Sequence, residues 1–124
     1  MYFLKSLADS RSIRNRLIEC FERASSPGVQ SAEDQDRLLT FIVIGGGPTS
    51  IEFASELYDF LKHDVTRLYP ELRQKVKVKV VEASGHILGS FSENLIGYVE
   101  TLFKNRHIEV ISNTAVNEML GDGK

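Results

Sequence analysis

The sequence predicts an α/β fold on a parallel sheet, and three observations predict it. Short apolar runs at 39–44, 76–82 and 108–111 alternate with longer stretches whose apolar residues recur at helical spacing. The first run passes through Gly45, Gly46 and Gly47 directly into one of those helical stretches. The second run ends on an acid, Glu82. Together they predict a β-α-β-α-β unit, the half of a doubly wound sheet that holds one mononucleotide.

The elements follow in order. A helix is expected over about 10–24, because Ile13, Leu17, Cys20, Phe21 and Ala24 recur on one face. The basic, serine-bearing composition of residues 1–24 mimics a mitochondrial leader, but that apolar stripe and the acids Glu19 and Glu22 favour a folded helix. "SSPGVQSAEDQD" reads as a connector, and Ser31 with Asp34 as the cap of a short helical turn before Leu38. "LTFIVI" (39–44) reads as a central parallel strand covered on both faces. In the next helix Ile51, Ala54, Leu57 and Leu61 share a face widened by Phe53 and Phe60, with Lys62 and His63 closing it. Residues 65–75 form a connection in which Pro70 breaks any helix.

"VKVKVVE" (76–82) alternates and then turns fully apolar, as a strand entering the core at its far end does. Ser92 is the expected cap of a helix over 92–105 with Leu95, Val99, Leu102 and Phe103 inward. "IEVI" (108–111) is the third strand, and "AVNEML" (115–120) is expected to be a fourth, the start of a β-meander. Right-handed crossovers place the first strand beside the second and the second beside the third. The sequence stops on the turn-like "GDGK", so the sheet domain is expected to be truncated. The predicted organisation is a connecting helix and linker over 1–37, then the sheet domain over 38–124.

Composition narrows the function. The net charge is −2, which offers no basic footprint for nucleic acid. No apolar run approaches the ~18 residues of a membrane span, so no membrane contact is expected from this segment. Cys20 is the only cysteine, which excludes an internal disulfide. On a helix's apolar face it reads as a core residue. His63, His86 and His107 lack ligand spacing, so no metal is expected.

The glycines carry the functional signal. A tight strand-to-helix turn needs backbone angles that Gly45 adopts without cost. Gly47 lacks a side chain, so a pyrophosphate can approach, and the helix N-terminus behind it offers unpaired N–H groups and partial positive charge. The third position of the Gly-x-Gly-x-x-Gly pattern, which serves close helix–strand packing, is Ser50. Gly45, Gly46, Gly47, Pro48, Thr49 and Ser50 are the candidate cofactor-binding loop of a Rossmann-like site. Glu82 is the candidate acid for the adenosine ribose, able to accept from its hydroxyls and to repel a 2′-phosphate. It lies 37 residues after Gly45, beyond the usual spacing, and the long connection over 62–75 takes up the excess. Glu52 has two readings. Thr49 and Glu52 match a capping box, whereas Pro48 suggests a helix that starts one residue earlier. In either register Glu52 is expected in the first turn, near where a bound dinucleotide passes toward its nicotinamide, and the residues alone favour the cap.

Four stretches, "RNRLIECFERAS", "FIVIGGGPTSIEFASELYDFL", "LYPEL" and "VKVVEASGHILGSF", resemble the type II, or alternative, NADH:ubiquinone oxidoreductases of fungal and plant mitochondria. The resemblance covers nearly the whole chain. It implies a two-dinucleotide flavoprotein in which an NAD domain is inserted into an FAD domain, with this chain as the NAD part. FAD would then be bound by a domain absent from this chain. On that resemblance Gly45, Gly46 and Gly47 match the NADH loop and Glu82 the ribose acid. Glu52 matches a glutamate near the nicotinamide–flavin contact, a candidate catalytic residue. Ser50 departs from the family's usual glycine. The resemblance further implies a non-proton-pumping NADH dehydrogenase that passes electrons to quinone at the inner mitochondrial membrane surface. This segment alone is expected to be inactive. A non-catalytic NAD(H)-binding module, the NAD domain of a disulfide-reductase-like flavoprotein, and a loop that holds FAD instead are the alternatives.

Overall fold

The computed structural model describes residues 7–26, 31–65, 67–89 and 91–115, which fall into two units, 7–39 and 40–115. In the first, helix α1 (Leu7–Ala24) precedes the short α2 (Ala32–Leu38). Leu17, Cys20, Phe21 and Ala24 form the buried stripe of α1, at the spacing of one helical face. Burial raises the pKa of the Cys20 thiol above its usual value. The hydroxyl of Ser31 accepts from the Asp34 N–H at 3.0 Å, so this serine caps α2 as expected. Gln35 Nε2 donates to the Ala24 carbonyl at 3.1 Å and ties the two helices together.

The second unit is a three-stranded parallel sheet in the order β1 (Thr40–Ile44), β2 (Lys77–Val81), β3 (Glu109–Ile111). Helix α3 (Pro48–Asp59) joins the first pair and α4 (Glu93–Asn105) the second. The register runs from Thr40 opposite Lys77 to Ile44 opposite Val81, and sets Lys79 opposite Glu109. Parallel crossovers are right-handed almost without exception, and two of them in one direction, β1 to β2 to β3, put both helices on one face. That face carries Val43, Val78 and Val80, all buried. The other carries the Lys79–Glu109 pair (3.9 Å) and the exposed Ile42 and Ile44.

Several expectations change. β1 is an edge strand of the described sheet and β2 the central one. A continuous apolar run therefore does not here mean cover on both faces, since Ile42 is 58% exposed. On α4 the buried residues are Ile96 and Phe103, seven apart, whereas Leu95 is exposed, so the inward face is rotated from the one expected. Past Asp59 the α3 helix widens into a π-turn over Phe60–Val65, which keeps Leu61 and Val65 buried. Pro70 opens a 3₁₀ segment, Pro70–Lys75, where its missing N–H costs nothing. Ser92 caps α4, accepting from the Leu95 N–H at 3.3 Å. The fourth strand expected at 115–120 lies, but for Ala115, outside the described residues.

Candidate functional site

β1 and β2 run parallel, so their carboxyl ends lie side by side, and the glycine turn and Glu82 follow those two ends. In open α/β sheets this is the end where ligands bind. Gly45 extends the ladder, its N–H donating to the Val81 carbonyl at 2.7 Å. Its φ of +103° is in the left-handed region that glycine alone enters cheaply. A Cβ on Gly45 would also lie 3.4 Å from the Ser50 hydroxyl. Ser50 thus faces the turn from α3, occupying space that Gly45 leaves free.

Gly46 is buried and sterically required for a different reason. A Cβ there would meet Glu82 Oε1 at 2.9 Å, Ile87 Cγ2 at 3.0 Å and Glu82 Cγ at 3.1 Å. Both polar groups of Gly46 are engaged by residues beyond β2. Its N–H donates to Glu82 Oε1 at 2.6 Å, and its carbonyl accepts from the Leu88 N–H at 2.7 Å. Ile87 is fully buried, and Leu88 is buried with φ of +53°, a conformation unusual for leucine. Neither residue, nor Ser84, stands out in the sequence. They lie inside the stretch "VKVVEASGHILGSF" that carries the resemblance, but the residues themselves show no more than an apolar pair in a loop of mostly small residues.

Gly47 is the N-cap of α3, with φ −75° and ψ 173°, and a Cβ on it would meet nothing within 4 Å. The space over Gly47 is therefore open to a ligand. Pro48 is the first helical residue and has no N–H, so the unpaired donors at this helix end include those of Thr49 and Ser50. Aligned peptide dipoles give that end roughly half a positive charge. The Thr49–Glu52 capping box does not form. With Gly47 as the cap, no side chain caps α3, and Glu52 lies past the first turn, exposed.

Glu82 holds the two ends together. Oε1 takes the Gly46 N–H, and Oε2 takes the Ser84 N–H at 2.7 Å. The bonds from Ser84 and then from Gly46 pull its carboxyl below the usual carboxylate range, against a smaller opposing effect of burial. Among the described residues no group of His, Cys, Asp and Glu is arranged to hold a metal. A shallow concavity of about 460 Å³, lined by Glu56, Asp59, Phe60, His63 and Asp64, lies at the opposite end of α3, about 17 Å along the helix from the turn. Its carboxylates would repel a pyrophosphate. No described helix is long and apolar enough to cross a membrane.

This geometry has relatives. The family model described as pyridine nucleotide-disulphide oxidoreductase matches residues 5–124. A probable NADH dehydrogenase of Dictyostelium discoideum is 47% identical over 121 residues, which is 97% of this chain and 27% of that protein. The external NADH-ubiquinone oxidoreductase 2 of Saccharomyces cerevisiae, a mitochondrial protein, is 45% identical over 114 residues, or 92% of this chain and 21% of the yeast protein. Among solved structures, NDH2 of Plasmodium falciparum in complex with NADH superposes with a TM-score of 0.88 at 29% identity, covering 93% of this chain and 23% of that one. The chain thus spans between a fifth and somewhat over a quarter of the length of these proteins. With the family model matched along almost its whole length, the chain belongs to the pyridine nucleotide-disulphide oxidoreductase family.

Proposed function

We propose that this chain is the NADH-binding portion of an FAD-dependent NADH:quinone oxidoreductase of the type II class, and that it orients NADH for hydride transfer to the flavin. The observation that carries the reading is the open space over Gly47 at the N-terminus of α3, between the carboxyl ends of β1 and β2. The names of the relatives, NADH dehydrogenase and NADH-ubiquinone oxidoreductase, and the NADH complex of the Plasmodium protein support it. So does the mitochondrial designation of the yeast protein, which favours a mitochondrial setting here.

In this reading the pyrophosphate lies over Gly47, against the Thr49 and Ser50 N–H groups and the positive end of α3. Gly45 and Gly46 shape the turn beneath it. The Glu82 carboxylate, which accepts from the Gly46 and Ser84 N–H groups at the edge of this space, also accepts from ribose hydroxyls in this reading. Exposed Glu52 lies further along α3, toward the nicotinamide, where it helps orient the hydride donor. The flavin, held by residues outside this segment, supplies the redox chemistry, while this chain supplies binding and orientation.

The test is Gly47→Val. The backbone angles at Gly47 suit any residue and the space is empty, so folding should lose at most about 1 kcal/mol for the poorer N-cap. NADH titration of the chain should show binding by the wild type and at least tenfold weaker binding by the variant, with nearly equal melting temperatures. A Gly47→Val variant that binds NADH as well as the wild type would show that the turn is not the phosphate cradle.

A further inference from the structure

We propose that Glu82 is a positioning residue for the phosphate-binding turn, acting through the Gly46 and Ser84 N–H groups, as well as a partner for the adenosine ribose. The inference rests on the NADH reading above and adds to it a second role for one side chain.

The geometry is specific. Oε1 and Oε2 each accept one backbone N–H, at 2.6 and 2.7 Å, one from the glycine turn and one from the loop after β2. Bonds of this length to a carboxylate are charge-assisted and about twice as strong as neutral ones. The Gly46 carbonyl is held by Leu88 of the same loop, so the middle residue of the turn hangs from the segment after β2. The fit between Gly46 and the Glu82 and Ile87 side chains leaves no room for that peptide to shift toward β2. Committing the Gly46 N–H to Glu82 removes it from the set available to a pyrophosphate. Recognition then falls to the N–H groups past Gly46, whose placement depends on where Gly46 is fixed. One carboxylate therefore sets the distance between the phosphate end and the ribose end of the site.

Glutamine exposes this role. Its side chain has the same shape but one oxygen and one NH₂. Whichever way it is turned, one of the two N–H groups faces a donor. Glu82→Gln should loosen the turn even when no ribose hydroxyl is present.

The experiment compares wild type and Glu82→Gln with two ligands: NADH, and an NADH analogue whose adenosine is 2′,3′-dideoxy. Amide hydrogen exchange is followed in the same samples. The wild type is expected to bind both ligands. Glu82→Gln should weaken NADH and also weaken the analogue by at least threefold. The Gly46 amide should exchange at least tenfold faster, while the Val80 and Val81 amides in the central strand stay protected. If the glutamine variant loses the sheet, Glu82→Asp, which keeps the charge on a shorter arm, takes the same measurements. An analogue that binds wild type and variant alike, with Gly46 exchange unchanged, overturns the inference and leaves the NADH reading standing. A wild type that binds neither ligand overturns both.

Discussion

Gly46 is the glycine whose replacement the structure makes most costly, and the reason is packing. A methyl group at that position would lie 2.9 Å from Glu82 Oε1 and 3.0 Å from Ile87 Cγ2. Its φ is not in the left-handed region, so Gly46→Ala carries no backbone strain of the kind Gly45 would suffer. Ile87 is fully buried and cannot move freely, and Glu82 can retreat only by giving up the Gly46 N–H. Overpacking of this kind costs about 1–3 kcal/mol. Leaving the buried Gly46 N–H unsatisfied adds about 1–3 kcal/mol. A total on the order of 3 kcal/mol lowers the melting temperature by about 12 °C for a domain of this size.

Calorimetry or circular dichroism at neutral pH reads that shift. Gly47→Ala is the control, because it adds the same methyl group one residue later with nothing within 4 Å and should lose only the small difference between glycine and alanine as an N-cap. A Glu82→Ala background should shrink the cost of Gly46→Ala to the Ile87 contact alone, since the two residues are directly coupled. The reasoning fails if Gly46→Ala melts within about 2 °C of wild type, or if Gly47→Ala falls as far.

The remaining expectations concern charge. NADH should bind in preference to NADPH: one unit charge pair at 4 Å costs on the order of 4 kcal/mol at an effective dielectric near 20, and a third of that gives about tenfold discrimination. Glu82→Gln should narrow the ratio of the two dissociation constants, and an unchanged ratio would make Glu82 an ordinary strand-end acid. The folded-state pKa of Glu82 is depressed, so its contribution to stability is present above the unfolded carboxylate pKa and lost as pH falls through the lower folded value. Melting temperature measured downward from pH 5 should therefore fall less steeply for Glu82→Gln than for wild type; parallel curves would count against the two N–H bonds. Arg106 Nη1 donates to Ser55 Oγ at 2.8 Å and lies 3.4 Å from Asp59, with its guanidinium 5.6 Å from the Tyr58 ring centre. Arg106→Ala should cost about 1–2 kcal/mol by thermal melt, most of it from the hydrogen bond because the ion pair is partly exposed.

Much of the fold was legible because it depends on local pattern. Periodicity marked α1, α3 and α4, side-chain chemistry marked the caps Ser31 and Ser92, and three apolar runs marked three strands whose order follows from crossover handedness. What escaped depends on neighbours. Whether Ile42 is covered is decided by what lies opposite it, and the apolar character of the run is the same either way. The inward face of α4 was ambiguous because Leu95 and Ile96 are adjacent and apolar, and only the docked helix selects Ile96. The π-turn after Asp59 keeps Leu61 buried, so the apolar spacing looks uninterrupted in sequence.

The site divides along the same line. A glycine pattern between a strand and a helix identifies the turn, because it is a demand on backbone angles, and Gly45 meets that demand at φ +103°. The pattern leaves its second position unspecified, and here that position is the most tightly enclosed of the three glycines. The cause is a contact across 36 residues of sequence, from Gly46 to Glu82, reinforced by Ile87 and Leu88 from a loop with no motif of its own. Glu82 was visible as an acid at a strand end, yet the sequence offers no sign that its oxygens reach back to the turn. Pro48, with no N–H to lose, takes the first helical position and makes Gly47 the cap, which places Glu52 beyond the first turn, against the expectation that it lies within it in either register. A capping role for Glu52 is thereby removed on structural grounds, and its side chain is exposed.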